Sequence, residues 1–108
     1  MSVISQNPNL KYSGNQPRIF KYTFGHIDRG QLAAKLNYPI NKILDIQEQG
    51  YILTLWAEVD TAWLGYDDHF VIYCAWTGDP PPGEGWSYYK TIQSEVDGLV
   101  YHLYITNN

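Results

Sequence analysis

Apolar and polar residues alternate along most of the chain with the period of two that is typical of β-strands. The segment from Arg18 to Phe24 alternates in this way and predicts a first strand with Arg18, Phe20, Tyr22 and Phe24 on one side. Residues 30–38 fit both a strand and two helical turns, because their leucines are spaced for either period. We favour a strand there.

A β-hairpin is the clearest supersecondary pattern. The runs KILDIQ (42–47) and YILTLWAEVD (51–60) are rich in apolar and β-branched residues, and they are separated by Glu48, Gln49 and Gly50. Glycine at position 50 can adopt the positive φ that a tight turn requires. In the second run, period two predicts one face made of Tyr51, Leu53, Leu55, Ala57 and Val59.

The rest of the chain completes an all-β pattern. HFVIYCAWT (69–77) is apolar on both faces, which indicates a central strand covered on each side. TGDPPPGEGW (77–86) is predicted to be a loop, because prolines lack backbone donors and glycines bracket them. With strands near 88–92 and 98–105, we predict a single antiparallel sandwich or partly open barrel of about six or seven strands. It spans residues 17–108 and follows a flexible polar arm at 1–16.

Composition supports one folded domain and restricts its partners. The 108 residues are 44% hydrophobic and 17% charged, so apolar burial can offset the entropy lost on folding. Five lysines and two arginines, against a net charge of −4, leave no broad cationic surface for a nucleic acid polymer. A small nucleotide-like ligand is compatible with this charge, since it needs only a few cationic or backbone donors.

Cysteine usage and missing motifs set further expectations. Cys74 is the single cysteine, so neither an intrachain disulfide nor a multi-cysteine zinc site can form. No secretory signal opens the chain and no apolar run could span a membrane, so we expect a cytoplasmic protein without a membrane partner. Phosphate loops, dinucleotide fingerprints, zincin motifs and nucleophile elbows are absent, so we predict no cofactor, no metal and no catalytic residue.

The chain contains cationic and aromatic residues of the types that form nucleotide-binding sites. Cationic side chains bind phosphates, and aromatic rings stack on bases. The predicted ligand-binding residues are Arg18, Lys21, Tyr22, Trp56, His69, Trp76, Trp86 and His102. The alternative is that the tryptophans fill a small β core and the cations are solvated. The loop from Gly78 to Trp86 either closes over a ligand, with Trp86 as its contact residue, or is an ordinary exposed connection.

The histidines titrate near neutral pH and leave alternatives open. His26 and Asp28 could share a strand face as a metal or acid/base pair, or form a turn. His69 follows two aspartates at 67–68, which either orient its ring for proton transfer or form a solvated turn. His102 lies in a strand, as a core histidine or as a polar group facing a pocket.

Three segments carry a resemblance: RIFKY at 18–22, LWAEVD at 55–60 and GLVYHLY at 98–104. They resemble an uncharacterised family of short phage and prophage proteins with a basic-aromatic first strand, a W-A-x-V-D strand and a terminal V-[WY]-H strand. The polar arm and the prolines at 80–82 depart from that family. The resemblance implies an accessory protein made in an infected bacterium, a setting in which small proteins counter host defences, some by sequestering nucleotide-derived signals.

Three functions compete on these grounds. The favoured one is a homo-oligomeric binding module that sequesters a small nucleotide-derived signalling molecule without turnover, in the bacterial cytoplasm if the protein is encoded by a phage. The second is an inhibitor that binds a host defence protein through an aromatic, acidic surface. The third is a phosphodiester hydrolase with His69 or His102 as general base near Asp67, Asp68 or Asp97.

Overall fold

The computed structural model describes residues 11–12 and 14–107, which form nine β-strands. They are β1 (Lys11–Tyr12), β2 (Pro17–His26), β3 (Gly30–Leu36), β4 (Ile40–Gln49), β5 (Ile52–Asp60), β6 (Trp63–Leu64), β7 (Asp68–Trp76), β8 (Trp86–Gln93) and β9 (Val100–Thr106). Seven long strands form two sheets, ordered β2-β5-β4 and β3-β7-β9-β8, while β1 pairs with β6. Every pairing is antiparallel. The predicted all-β sandwich is confirmed, and neither sheet closes into a barrel.

The core lies between the two sheets and is built by the alternation that the sequence predicts. In β5, Leu53, Leu55, Ala57 and Val59 are all fully buried. The facing sheet contributes a matching set of buried residues: Ala34, Leu36, Ile72, Cys74, Tyr101 and Leu103. Burial raises the pKa of the Cys74 thiol to about 12, so this thiol is protonated and unreactive at neutral pH.

The hairpin turn is shorter than the predicted connection of Glu48, Gln49 and Gly50, because Glu48 and Gln49 belong to β4. Gln49 pairs with Ile52, so the turn consists of Gly50 and Tyr51. Both residues have positive φ, 57° and 71° respectively, as the two central residues of a type I′ hairpin turn require. Tyr51 therefore lies in the turn and is 54% exposed, whereas the sequence pattern assigned it to the inward face of the strand.

Strand β7 is central in its sheet, as predicted, because it pairs with β3 on one side and β9 on the other. Its inward residues Ile72 and Cys74 are fully buried. Within the described chain, no other layer lies on its second face. On that outward face His69 is exposed, and Val71 and Tyr73 are half-buried.

The proline-rich connection runs from Thr77 to Gly85. Trp86 is not part of it, since this residue begins β8 and pairs with Thr106 of β9. The sequence pattern ended the loop one residue too late, because Trp86 directly follows the last glycine. Trp86 is therefore a sheet residue and not part of the predicted loop.

The arm predicted at 1–16 is described only in part. Residues 1–10 and 13 lie outside the described residues, whereas Lys11–Tyr12 forms β1. Gln16 donates its backbone N–H to the Asp60 carboxylate at 2.9 Å, and Thr61 donates its N–H to the Gln16 carbonyl at 3.0 Å. These bonds attach the segment before β2 to the end of β5.

One open side of the sandwich is closed by polar bonds between the edge strands β4 and β8. The Lys90 ammonium lies 2.6 Å from Asp45 Oδ1 and donates to the Ile46 carbonyl at 3.0 Å. Ser94, directly after β8, donates its hydroxyl to Glu48 of β4 at 2.8 Å. This β4–β8 clasp joins two sheets that share no backbone ladder.

Candidate functional site

A cleft of about 580 Å³ opens at one end of the sandwich. The last pair between β7 and β9 is Ile72 with Ile105, so β7 has no β9 neighbour over residues 68–71. The start of β4, in the other sheet, lies across this gap. The cleft therefore exists because β9 ends before β7 does.

The inner wall of the cleft is apolar and partly aromatic. It is formed by Leu36, Ile40, Ile43, Tyr66, Phe70 and Ile105. Tyr66 is half-buried, and burial, followed by the nearby Asp68 carboxylate, raises the pKa of its hydroxyl. The volume falls within the range of roughly 300–1,000 Å³ that small-molecule sites usually have.

Polar groups of both signs lie around the mouth of the cleft, including Lys42, Asp68 and His69. Asp68 is already engaged, because it accepts the His69 backbone N–H at 2.8 Å and the Tyr66 hydroxyl at 3.3 Å. Lys42 and the His69 ring are exposed, and neither makes a hydrogen bond or ion pair with another described residue. They are the groups available to an anion.

Backbone groups add to these donors. Among the described strands, β4 is at the edge of its sheet and pairs with β5 alone. Along 40–43, where β4 borders the cleft, alternate N–H groups on its open side have no strand partner among the described residues. The register places Lys42 beside Glu58, on the outer side of this edge. A lysine side chain is long enough to bend from there to the mouth.

The eight residues that the sequence predicts as ligand-binding do not meet at one place. Lys21 and Trp56 are register partners on the outer face of the three-stranded sheet, with Asp45 on the far side of Trp56. Tyr22 points the opposite way, is buried and donates its hydroxyl to Asn37 at 2.8 Å. Arg18 is exposed near the start of β2 and donates to the Pro17 carbonyl.

The remaining four lie in the other sheet. Trp86 and His102 are on its outer face, and His69 is on that face at the mouth of the cleft. Trp76 ends β7 with its ring 6.4 Å from that of buried Tyr101. Of the predicted set, the cleft therefore contains His69 alone.

His102 is held by two hydroxyl groups. Its Nε2 lies 2.8 Å from Thr77 Oγ1, and its Nδ1 lies 3.0 Å from Thr91 Oγ1. Asp97 is engaged elsewhere, accepting the Tyr101 hydroxyl at 2.8 Å. No carboxylate of the described residues orients the imidazole, so the His–Asp arrangement of the hydrolase hypothesis is not formed at this residue.

The proline-rich connection is fixed at its start by Asp79. The Arg29 guanidinium donates to both carboxylate oxygens of Asp79, with Nε at 2.9 Å, and stacks 4.5 Å above the Trp76 ring. Asp79 also accepts the Trp76 backbone N–H at 2.8 Å. A small cavity of about 300 Å³ lies between this connection and His102.

Two ion-paired carboxylates, those of Asp45 and Asp79, predict a fold that loses stability in acid. Hydrogen bonds from Lys90 and Arg29 hold the pKa values of Asp45 and Asp79, respectively, below the usual 3.8. The stability they contribute is present above that value and is lost as the pH falls through their native pKa values. We expect the free energy of unfolding to fall less between about pH 6 and about pH 3 in the double variant Asp45→Asn, Asp79→Asn than in the wild type. Urea unfolding at the two pH values measures this difference.

The matched control for that measurement is Asp67→Asn, because the Asp67 side chain makes no hydrogen bond or ion pair with another described residue. An equal loss of stability on acidification in the double variant and the wild type would contradict the prediction.

A family model described as a domain of unknown function, DUF7352, matches residues 15–108. The chain belongs to the DUF7352 family. The match covers every strand from β2 to β9 and so includes both walls of the cleft. No curated protein and no solved structure matches the chain significantly.

Sequence reasoning missed most of the DUF7352 cleft. Lys42, Tyr66 and Phe70 were outside the predicted set, although all three line it. Within the described part of the domain, no group of three or more His, Cys, Asp or Glu is placed to hold a metal ion. Across the same residues, no helix has the length and apolarity needed to cross a bilayer. His26 and Asp28 are both exposed.

Proposed function

We propose that the DUF7352 domain is a binding module that holds a small anionic ligand with a planar ring, such as a nucleotide, in the cleft between β4 and β7. The observation that carries the proposal is the pairing of aromatic wall residues Tyr66 and Phe70 with a mouth containing unpaired Lys42 and His69. Rings offer a stacking surface, and cations with backbone N–H groups offer phosphate donors.

The charge of the chain sets the size of this ligand. A net charge of −4 opposes a long polyanion, which would have to lie over many acidic side chains. A single nucleotide or a small cyclic one needs only the donors at the mouth. Asp68 limits affinity for highly charged ligands, because its carboxylate lies at the same mouth.

Sequestration without turnover is the mode of action that we propose. His102, the histidine held by its neighbours, bonds to threonine hydroxyls, and His69 is exposed without a carboxylate on its ring. Neither is arranged as a general base with an orienting acid. The resemblance to phage proteins suggests the biological setting, namely removal of a nucleotide-derived defence signal in an infected bacterium.

Native mass spectrometry tests the proposal directly. The full chain would be mixed separately with AMP, ATP, cyclic di-AMP, cyclic di-GMP, adenosine and inorganic phosphate, each at up to roughly millimolar concentration. We expect a stoichiometric adduct with at least one phosphorylated nucleotide and none with adenosine, because adenosine lacks the anionic group.

Two results would count against the proposal. The absence of any adduct, both with these probes and with small molecules extracted from phage-infected bacteria, would remove the ligand class. Conversion of a bound nucleotide into product would replace sequestration with catalysis.

A further inference from the structure

The outer face of the four-stranded sheet carries a continuous group of aromatic rings. Tyr73, Tyr104 and Tyr88 stand in register across β7, β9 and β8, and Trp86 lies in the adjacent row. The ring centroids of Tyr88 and Tyr104 are 5.9 Å apart. Those of Tyr73 and Trp86 are 5.8 Å apart, so these two rings meet above β9. We call these four residues and the sheet surface around them the aromatic face.

The aromatic face is almost free of charge. By register, the outward positions on its four strands hold one Lys, Arg, Asp or Glu, which is Lys35 at the far end of β3. The outer face of the three-stranded sheet is different, because four of the twelve positions in its four complete rows are charged: Lys21, Lys42, Asp45 and Glu58. That second face has the composition of an ordinary solvated surface, and the aromatic face does not.

Strand β7 points to the same conclusion. Its apolar run has the pattern of a strand covered on both faces, yet one face has nothing above it in the described chain. Tyr88, on β8 at the edge of the same sheet, is 57% exposed. Aromatic enrichment with charge depletion is the composition found at the centre of protein interfaces.

We propose that a second copy of this chain packs on the aromatic face and forms a two-fold symmetric dimer. Each chain has a net charge of −4, so two copies repel unless they meet where acidic side chains are absent. The aromatic face meets that condition. A two-fold axis brings the same surface of both copies together. Because this surface is almost uncharged, the contact creates no repulsion between like charges.

The ring geometry opposes a flat ligand as the occupant. The Tyr88 and Tyr104 rings are inclined by 76°, and those of Tyr73 and Trp86 by 58°. A nucleic acid base or a sugar ring stacks best on coplanar rings, whereas tilted rings form ridges and grooves. Ridges and grooves interdigitate with the side chains of a protein surface.

The area of the face places the dimer in the size class of weak, transient interfaces. Four strands about 4.8 Å apart and about seven residues long give a projected face of roughly 450 Å². With the relief of the side chains, two copies would bury on the order of 1,000 Å² in total, at the lower limit for specific interfaces. We therefore expect a dissociation constant in the micromolar range.

Sedimentation equilibrium of the full chain, over about 1 µM to about 500 µM, tests this dimer. We expect a monomer–dimer equilibrium in the wild type and at least tenfold weaker association in Tyr88→Arg, because the two-fold axis puts two new charges into one interface. The matched control is Tyr51→Arg, which replaces an equally exposed tyrosine, 54% against 57%, in the β4–β5 turn. Thr91→Arg, on the same face, should weaken association as Tyr88→Arg does, without removing a ring.

Each remaining outcome overturns the dimer. A wild type that stays monomeric throughout the range has no self-association to explain. Equal association in Tyr88→Arg and the wild type would place the contact on another surface. A monomer that instead binds a host protein, in a manner lost in Tyr88→Arg and kept in Tyr51→Arg, would assign the face to a different partner. Circular dichroism of all variants verifies that they are folded.

Discussion

Replacing Leu55 with alanine is expected to lower the free energy of unfolding by about 2–5 kcal/mol, the range found for fully buried leucines. Leu55 is fully buried in β5, the middle strand of its sheet, between Tyr22 on β2 and Ile46 on β4. Both neighbours are themselves buried, so the space left by the side chain cannot be filled from solvent. Urea unfolding followed by tryptophan fluorescence measures the change.

Leu44→Ala is the matched control, because it makes the same change at a leucine that is 41% exposed. Leu44 lies at an irregularity in the pairing of β4, between Ile43 and Asp45. We expect less than about 1 kcal/mol there, since this leucine keeps 41% of its surface in water and its truncation opens no enclosed cavity. Similar losses in the two variants would mean that β5 does not form the centre of the core.

The strands could be predicted from sequence because the rule that fixes them is local. Alternation alone identifies β5 and assigns Leu53, Leu55, Ala57 and Val59 to one face, which is the buried face. The error at Tyr51 is also local: a two-residue turn needs positive φ at both positions, and a tyrosine gives no sign of that requirement.

The eight residues predicted to bind a ligand do not come together, for a reason visible in the same alternation. Lys21 and Tyr22 are adjacent in β2, so period two must send their side chains to opposite faces. One becomes an outward cation and the other a buried core residue. Grouping them by composition ignored this constraint.

The cleft could not be predicted from sequence, because it depends on where strands end in three dimensions. Its walls come from β3, β4, β7, β9 and the segment before β7. It opens because β9 ends while β7 continues, which is a property of sheet register. The aromatic face has the same origin: Tyr73, Tyr88 and Tyr104 are far apart in sequence, and only the order β7-β9-β8 aligns them.

Reversing the charge at Lys42 is expected to weaken nucleotide binding at least tenfold, which corresponds to about 1.4 kcal/mol. Lys42 borders the cleft, and no described residue forms an ion pair with it, so Lys42→Glu removes an attractive charge and adds a repulsive one at the mouth. Titration calorimetry with the phosphorylated probe that binds the wild type measures the loss. The expectation rests on the proposed ligand class.

Lys21→Glu provides the control that separates a local effect from a general one. It makes the same change in net charge at an exposed lysine of the same sheet, which the sequence pattern included in the site but which does not line the cleft. We expect its affinity to stay within about twofold of the wild type, since exposed charges beyond roughly 8–10 Å are screened by salt. Equal losses in both variants would indicate nonspecific attraction between the chain and the ligand. A loss in Lys21→Glu alone would move the site to the Lys21–Trp56 pair on the outer face.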